Sequence, residues 1–533
     1  MQEPNVTIAP IDYTIIGFYL IFIIWLGFYF KKRQKTQEDY FLAGRSLTWP
    51  IIGFSLFASN MGSISLVGLA ESGFRNGFAV FSYEWMATFV LILFAVFFLP
   101  FYLKNRVYTI PEFLERRFNS FSRYYFSGVT MTLNVFIDIA SGLYAGAIVV
   151  KMAFPELSLT TIIWTISILA AFYTLMGGLS SVVYSDTVQA ILLILSSMIV
   201  TFLAYQQIGG WEEIKASVDA SHLTIIKPAS DPNLPWPSLF SGVFLLGFYF
   251  WVTNQFIAQR ALASKDTRQG QWGALFAGLL KLSTLFIMVL PGVMALVLYP
   301  DLADATQAYP TLIYNLLPAG VLGLTLAGFI AALMSSVDSG LNAAATLFTF
   351  DFYKKFRPES TDEKLMGVAR ITILILMVIA ALWAPQIVKF ESFWDYLQMV
   401  LSFLCPPIVS LFIFGLFSRR INTRGANAAI ITGVTLSILS IGYQFYINLT
   451  DSPNILPHYL YLAGWIFIIC TIILLVFSFM GREDKGKDWD ALIWTPKTFQ
   501  EETRNLSDLP LVKNYRFQSL LLLGLIAMLL IIF

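Results

Sequence analysis

The sequence has 533 residues, of which 57% are hydrophobic and only 13% charged, where a soluble domain carries about a quarter charged side chains; a soluble protein is excluded. Its 34 Lys and Arg nearly cancel its 33 Asp and Glu, so no basic excess is available to hold a nucleic-acid backbone by counterion release, and no acidic or low-complexity tract suggests disorder. Cys405 and Cys470 sit within apolar runs and only His222 and His458 accompany them, which removes both a disulfide scaffold and a zinc centre.

Apolar runs of about 18 or more residues mark membrane-crossing helices, because such a segment must pair its backbone polar groups internally across roughly 30 Å of hydrocarbon. Fourteen follow one another: 11–30, 50–73, 77–103, 125–154, 159–178, 183–206, 238–257, 273–298, 312–350, 366–384, 393–417, 426–446, 459–480 and 518–533. The first is read as an anchor and not a signal peptide: the leader 1–10 has no positive charge, and Lys31, Lys32, Arg33 and Lys35 come after the run. With the N-terminus outside, the basic clusters after the first, third, seventh, ninth, eleventh and thirteenth runs all fall inside, leaving Arg75, Lys151, Lys215, Lys227 and Lys389 outside. That sorting predicts fourteen spans with both termini outside. The polar stretch before residue 238 is then an outer loop in which Trp211, Glu212 and Glu213 open a short helix.

A charged group at membrane depth costs at least about 2.5 kcal/mol on insertion scales. In chain order these are Glu84 in the third run, Asp138 in the fourth, Asp186 near the cytoplasmic start of the sixth, Lys281 in the eighth and Asp338 in the ninth. Each reads either as functional or as a structural pair or a side chain reaching an interface, and for Asp138 neither reading is favoured. Lys281 has apolar neighbours for several turns, and an ammonium there needs facing carboxylates or ligand oxygens to stay charged. This points to a polar cavity at mid-membrane.

Two segments are unusually small and polar. The second run contains Phe57-Ala58-Ser59-Asn60-Met61-Gly62-Ser63-Ile64-Ser65, which suits either close helix packing or an interrupted helix whose unwound carbonyls bind a cation. The ninth carries Ser335 and Ser336 side by side within 331–342. One serine usually bonds back to its own helix, whereas two adjacent hydroxyls point in different directions. With free carbonyls from a broken neighbour they would make the all-oxygen site that a hard monovalent cation such as sodium prefers.

The motifs Asp39-Tyr40-Phe41-Leu42-Ala43-Gly44-Arg45, Tyr83-Glu84-Trp85, Tyr108-Thr109-Ile110-Pro111-Glu112-Phe113-Leu114 with Arg116-Arg117-Phe118, Gly177-Gly178-Leu179 with Asp186 and Gln189, Asn254-Gln255 with Gln259-Arg260, Lys281-Leu282 with Pro291-Gly292, Ser335-Ser336 and Pro406-Pro407 stand in one order. Together, from about Asp39 to Arg424, they resemble the sodium:solute symporters, and among these the sodium/glucose cotransporters with their bacterial sodium/galactose members.

The resemblance implies an all-α membrane protein of about fourteen transmembrane helices with a LeuT-like inverted-repeat core of five plus five. Residues 1–48 would be an extra helix and cytoplasmic loop, 49–208 the first repeat, 209–237 an outer loop, 238–418 the second repeat, and 419–533 peripheral helices with a cytoplasmic linker at 481–514. It also implies a sodium site made of the carbonyls of Ala58, Met61 and Ala332 and the hydroxyls of Ser335 and Ser336. Asn60, Glu84, Lys281 and Gln398 match the family's sugar-binding positions in identity, and a carboxylate, an ammonium and two amides suit the edge of a polyol. Ser65 stands where sugar transporters have Gln or His, Gly247 replaces Asn or Thr, Ala87 replaces a small hydroxyl, and Phe250 occupies the place of an inner-gate tyrosine. Asp186 matches a family carboxylate; with Asp338 and Ser339 it would either border a second ion or serve structure and gating.

The expected function is sodium-driven symport of a neutral sugar, a hexose such as glucose or galactose or a related polyol, by alternating access and without enzymatic chemistry. Sodium, the solute and the lipid bilayer are its partners. Symport of an amino acid, a carboxylate vitamin or sialic acid is the alternative, which Glu84 disfavours because an anion would want an arginine or a free helix N-terminus. A lipid-linked-sugar enzyme would need paired carboxylates or a histidine at an interface, and a sensor would need an output domain, whereas 481–514 has only the size of a linker. A chain without long soluble insertions points to a bacterial inner membrane.

Overall fold

The structure, a computed structural model, describes residues 8–31, 36–389, 393–450, 456–507 and 509–533. Eleven of its helices are long and apolar enough to cross a membrane. The second, fifth and eleventh apolar runs are helical as well but fail that test singly: the second is broken into Trp49–Asn60 and Ser63–Asn76, the fifth gives the shorter apolar helix Leu159–Phe172, and the eleventh is the pair Leu397–Leu404 and Pro406–Phe417, bent by 49°. Large apolar side chains such as Phe18 (74% exposed) and Ile531 (84%) stand outward on the first and last of these helices. In water that surface would aggregate; in a bilayer it is the lipid face.

Each break has a local cause. Met61 (φ −88, ψ 50) and Gly62 (φ −78, ψ −171) leave helical geometry between the two halves of the second run. Gly178 (φ 52, ψ −162) separates the fifth from the sixth inside Leu159–Ile208, in a region of backbone space that favours glycine. Pro406 and Pro407 open the second half of the eleventh, where a missing N–H is tolerated. The ninth run departs from expectation: Ala308–Leu316 is a separate helix, and Val321–Leu347 starts only after Leu317 and Gly320 (φ 85). Pro318 bars the residue before it from the helical region, and Leu317 is accordingly extended (φ −85, ψ 129).

Trp49–Asn60, Leu159–Ile208 and Val321–Leu347 pack on one another at the centre, with Pro10–Lys31 against the last two. Asp12, in the first turn of Pro10–Lys31, closes the N-terminus of Val321–Leu347: its Oδ1 accepts the Gly320 and Gly323 amides (2.7 and 2.6 Å), and its Oδ2 accepts that of Ala9 (3.0 Å). A carboxylate there meets both the orphan donors and the positive end of the helix dipole. The short helix predicted outside forms as Trp211–Ser217 and buries Ile214. The stretch 481–514 holds two helices, Trp489–Leu492, which packs on Leu99–Lys104, and Pro496–Ser507, which is tied to the start of the last span where Tyr515 donates to Glu502 (2.8 Å) and Arg516 to Thr503 (2.6 Å). Lys104 donates to the Asp490 carbonyl (2.8 Å), Asn105 to that of Ala491 (2.6 Å), and the Trp494 amide to that of Leu416 (2.9 Å).

Candidate functional site

The break at Met61 and Gly62 puts Asn60 at the end of one helix and Ser65 in the first turn of the next, with Ser65 Oγ donating to the Asn60 carbonyl (2.6 Å). Glu84, on Phe81–Leu93, and Lys281, in the last turn of Thr267–Leu282, form a buried ion pair. Lys281 also donates to Asn60 Oδ1 and lies 5.4 Å from the centre of the Trp251 ring. Thr284, three residues beyond Lys281, donates to Glu84 Oε2 (3.3 Å).

These groups surround a cavity of about 120 Å³, and all seven positions that the resemblance points at a sugar line it: Asn60, Ser65, Glu84, Gly247, Phe250, Lys281 and Gln398. Ala87 lines it too. So do Trp251 and Asp138, which sequence reasoning misses or leaves open. Both stand in π-helical turns, Tyr249–Thr253 and Asn134–Ile139, where one extra residue per turn re-aims the side chains and which are frequent at functional sites. Nothing in an apolar, aromatic sequence separates a Trp facing a cavity from one facing lipid. Thr284 had a legible signal, its i,i+3 spacing from Lys281.

Of the expected ion set, Ala58 and Met61 are buried at the helix break. The Phe57 carbonyl accepts the Met61 amide (2.8 Å) and that of Gly62 accepts Leu66 (3.1 Å); the last-turn carbonyls between have no further turn of helix to receive their bonds. Ser335 and Ser336 lie on Val321–Leu347, and Ser336 reaches the cavity wall. Ala332 belongs to the same helix, but its side chain lies outside the described residues. The two segments meet at Asp186. Its Oδ2 accepts Ser55 (2.5 Å) and Ser59 (3.2 Å) from the first half of the broken run, and its Oδ1 accepts Ser335 (2.5 Å). Donation occupies the Ser335 hydrogen and leaves oxygen lone pairs to accept a cation.

Around the suggested second ion position, Arg260 is the residue that sequence reasoning missed. Its buried guanidinium pairs with Asp186 Oδ2 (3.1 Å), donates to Ser55 Oγ (2.8 Å) and reaches Ser339 and the Phe256 carbonyl. Asp338 has another partner, Thr174, which donates to its Oδ1 (2.6 Å). The structure therefore joins Asp186 to Ser339 through an arginine and gives Asp338 a separate hydrogen bond.

Away from the cavity a second charge cluster ties the loop after the third span to the end of the ninth. Asp351 accepts Thr109 (2.7 Å), Ser127 (2.5 Å) and the Arg123 guanidinium (2.6 and 2.8 Å), and Glu115 accepts Arg123 (2.6 Å) and Lys355 (2.5 Å). Burial alone would raise the Glu115 carboxyl, but hydrogen bonds from Lys355, Ser120 and Arg123 outweigh it and hold the group at about 2.

The model of the sodium:solute symporter family matches residues 40–433. The chain is 32% identical over 548 residues to sodium/glucose cotransporter 1 of Ovis aries, covering 93% of this chain and 82% of that protein. It is 33% identical over 527 residues to the sodium/myo-inositol cotransporter of Homo sapiens, covering 88% and 73%. Among solved structures, a Na+-coupled sialic acid symporter in a substrate-bound outward-open state superposes with a TM-score of 0.77 at 22% identity, over 90% of this chain and 99% of that one. A closed nucleobase-cation-symport-1 family transporter with bromovinylhydantoin bound gives 0.55 at 10% identity, over 85% and 98%. These two likenesses establish the fold, all-α and LeuT-like.

Proposed function

As the chain belongs to the sodium:solute symporter family, with sodium as the coupling ion, we propose that it imports a neutral sugar, a hexose such as glucose or galactose or a related polyol, by sodium-driven alternating access. The observation that carries the reading is the Asn60, Glu84 and Lys281 cluster on one cavity wall, immediately beside the helix break that bounds the ion set. A carboxylate accepts hydroxyl hydrogens, an ammonium donates, the amides of Asn60 and Gln398 do both, and the rings of Phe250 and Trp251 offer faces to a pyranose. An anionic solute gains nothing from Glu84. The names of the relatives, sodium/glucose and sodium/myo-inositol cotransporters, lie in the same chemical class.

Sodium arriving from outside would be held by the carbonyls of Ala58, Met61 and Ala332 and the hydroxyls of Ser335 and Ser336. It thereby fastens the broken second span to the ninth and favours the state that binds solute. Its loss to the cytoplasm frees the break, the cavity wall carrying Asn60 relaxes, and the solute leaves. The drive equals the difference in ion affinity between the two states, with helices 49–208 and 238–418 as the repeats that rock about the mid-membrane site. The setting we propose is a cell membrane, a bacterial inner one. Uptake of a panel of labelled sugars into proteoliposomes, with and without an inward sodium gradient, tests the reading: one or more neutral hexoses or polyols accumulate only with the gradient. Accumulation of amino acids or carboxylates and of no sugar would overturn it.

A further inference from the structure

The last span, Tyr515–Ile532, packs along Thr267–Leu282, the helix whose last turn carries Lys281. Apart from the solute cavity, an apolar groove of about 390 Å³ runs between them, walled by Trp272, Leu275, Phe276 and Leu279 on one side and Leu521 and Leu522 on the other. Leu279 (45% exposed) and Leu521 (57%) stand outward, which puts the groove on the lipid face. Its polar groups turn to one another: Trp272 Nε1 donates to the Lys513 carbonyl (3.1 Å) and the Gln518 amide to that of Val512 (2.8 Å). An apolar space of this kind stays dry and takes apolar guests; in a bilayer the guest at hand is an acyl chain. The Lys513 ammonium, on the groove's rim, is left over. Among the described residues it makes no ion pair, and neither does Arg268, which stands one turn before Trp272 on the same helix face. The neighbouring carboxylate, Asp266, caps its own helix through the Gln269 amide (2.9 Å). Trp49 and Trp272 beside these two cations mark the membrane–water boundary, where indole rings sit at headgroup level.

We infer that this groove is a binding site for an anionic phospholipid, one acyl chain lying between the two helices and the phosphate meeting Lys513 and Arg268. Charge selects the headgroup. A zwitterionic lipid brings an ammonium of its own toward two cations, whereas an anionic one brings net negative charge, and each Lys or Arg strengthens its binding about fivefold. The site bears on transport through its floor. Phe276 packs edge-on against Trp49 and Phe54, with ring centres 5.2 and 5.1 Å apart, and both of those belong to Trp49–Asn60. The two helices that meet there carry Asn60 and Lys281 at their far ends, where the two side chains bond to each other on the solute cavity. A lipid seated in the groove braces these helices against one another and supports uptake.

The test titrates phosphatidylglycerol or phosphatidylcholine into the full chain, delipidated in detergent, while native mass spectrometry counts the lipids retained. One phosphatidylglycerol per chain is expected to hold where phosphatidylcholine does not. That preference should fall about fivefold in Lys513→Gln or Arg268→Gln, while Lys513→Arg keeps it and guards against a folding defect. In proteoliposomes, sodium-driven uptake should rise with the phosphatidylglycerol fraction for the wild type and stay flat for the variant carrying both Lys513→Gln and Arg268→Gln. Equal retention of the two lipids, or a preference unchanged in that double variant, overturns the site, as does a second copy of the chain held in place of lipid. Selective retention with uptake indifferent to phosphatidylglycerol overturns the brace. The mass-spectrometric readout needs no solute, so its failure and that of the sugar reading are distinguishable.

Discussion

Glu84 and Lys281 are buried and each is the other's counter-charge. Removing one member of such a pair destabilises by about 3–5 kcal/mol because a lone charge stays behind, while replacing both with apolar side chains is often neutral. Glu84→Ala is therefore expected to abolish solute uptake and lower the thermal midpoint in detergent, with sodium binding by calorimetry largely spared. Adding Lys281→Met should restore the midpoint but not the uptake; uptake in the double variant would take the pair out of the solute site. Ser336→Ala should raise the sodium concentration for half-maximal uptake about tenfold, the scale of one ligand hydroxyl, and an unchanged requirement removes Ser336 from the ion set. At this scale the sequence speaks where a residue is out of place. A charge or a polar pair in an apolar run demands a partner, which makes Asn60, Glu84 and Lys281 legible. Arg260 is not out of place beside Lys265 and Arg268 between two apolar runs, so nothing in its own stretch of chain shows that it turns inward to Asp186.

The helix break is the element on which the site is built, and its residues announce it: Ser59, Asn60, Gly62 and Ser63 interrupt an apolar run. The division of 312–350 was missed because hydropathy continues across Pro318 and Gly320, although the proline alone argues for a stop. The docking of 481–514 was missed for the opposite reason, since short polar helices carry no hydrophobic period strong enough to show a partner. The π-helical turns have no sequence signature at all. Outside the apolar runs the Glu115 tie carries a pH signature. Its folded value near 2 lies below the ordinary 4.5, so its stabilising contribution is complete above about 4.5 and is lost as pH falls toward about 2. Glu115→Gln should melt below the wild type at neutral pH, and the two melting curves should converge as the pH is lowered through that window. A gap that persists at pH 2 contradicts the tie.

For the whole molecule the order of spans and the residues that meet at the cavity follow from hydropathy and buried charge, because a bilayer leaves few alternatives. The stoichiometry does not, and here the geometry decides more than the sequence. Arg260 stands on Asp186 and reaches Ser339, which favours a structural tie over a second ion. Sodium titration of uptake at saturating solute is accordingly expected to give a Hill coefficient of one, and a value near two would place another ion in that region. The claim beneath all of this is that the cation and the solute are carried by one coupled site, and linkage requires the coupling to run both ways. The most direct measurement is radiosodium entry into proteoliposomes given an inward gradient of the transported sugar and equal sodium on both sides. Sodium is expected to be driven inward with the sugar, and Glu84→Ala to abolish this entry; sugar entering down its gradient with no sodium movement would rule out a coupled site.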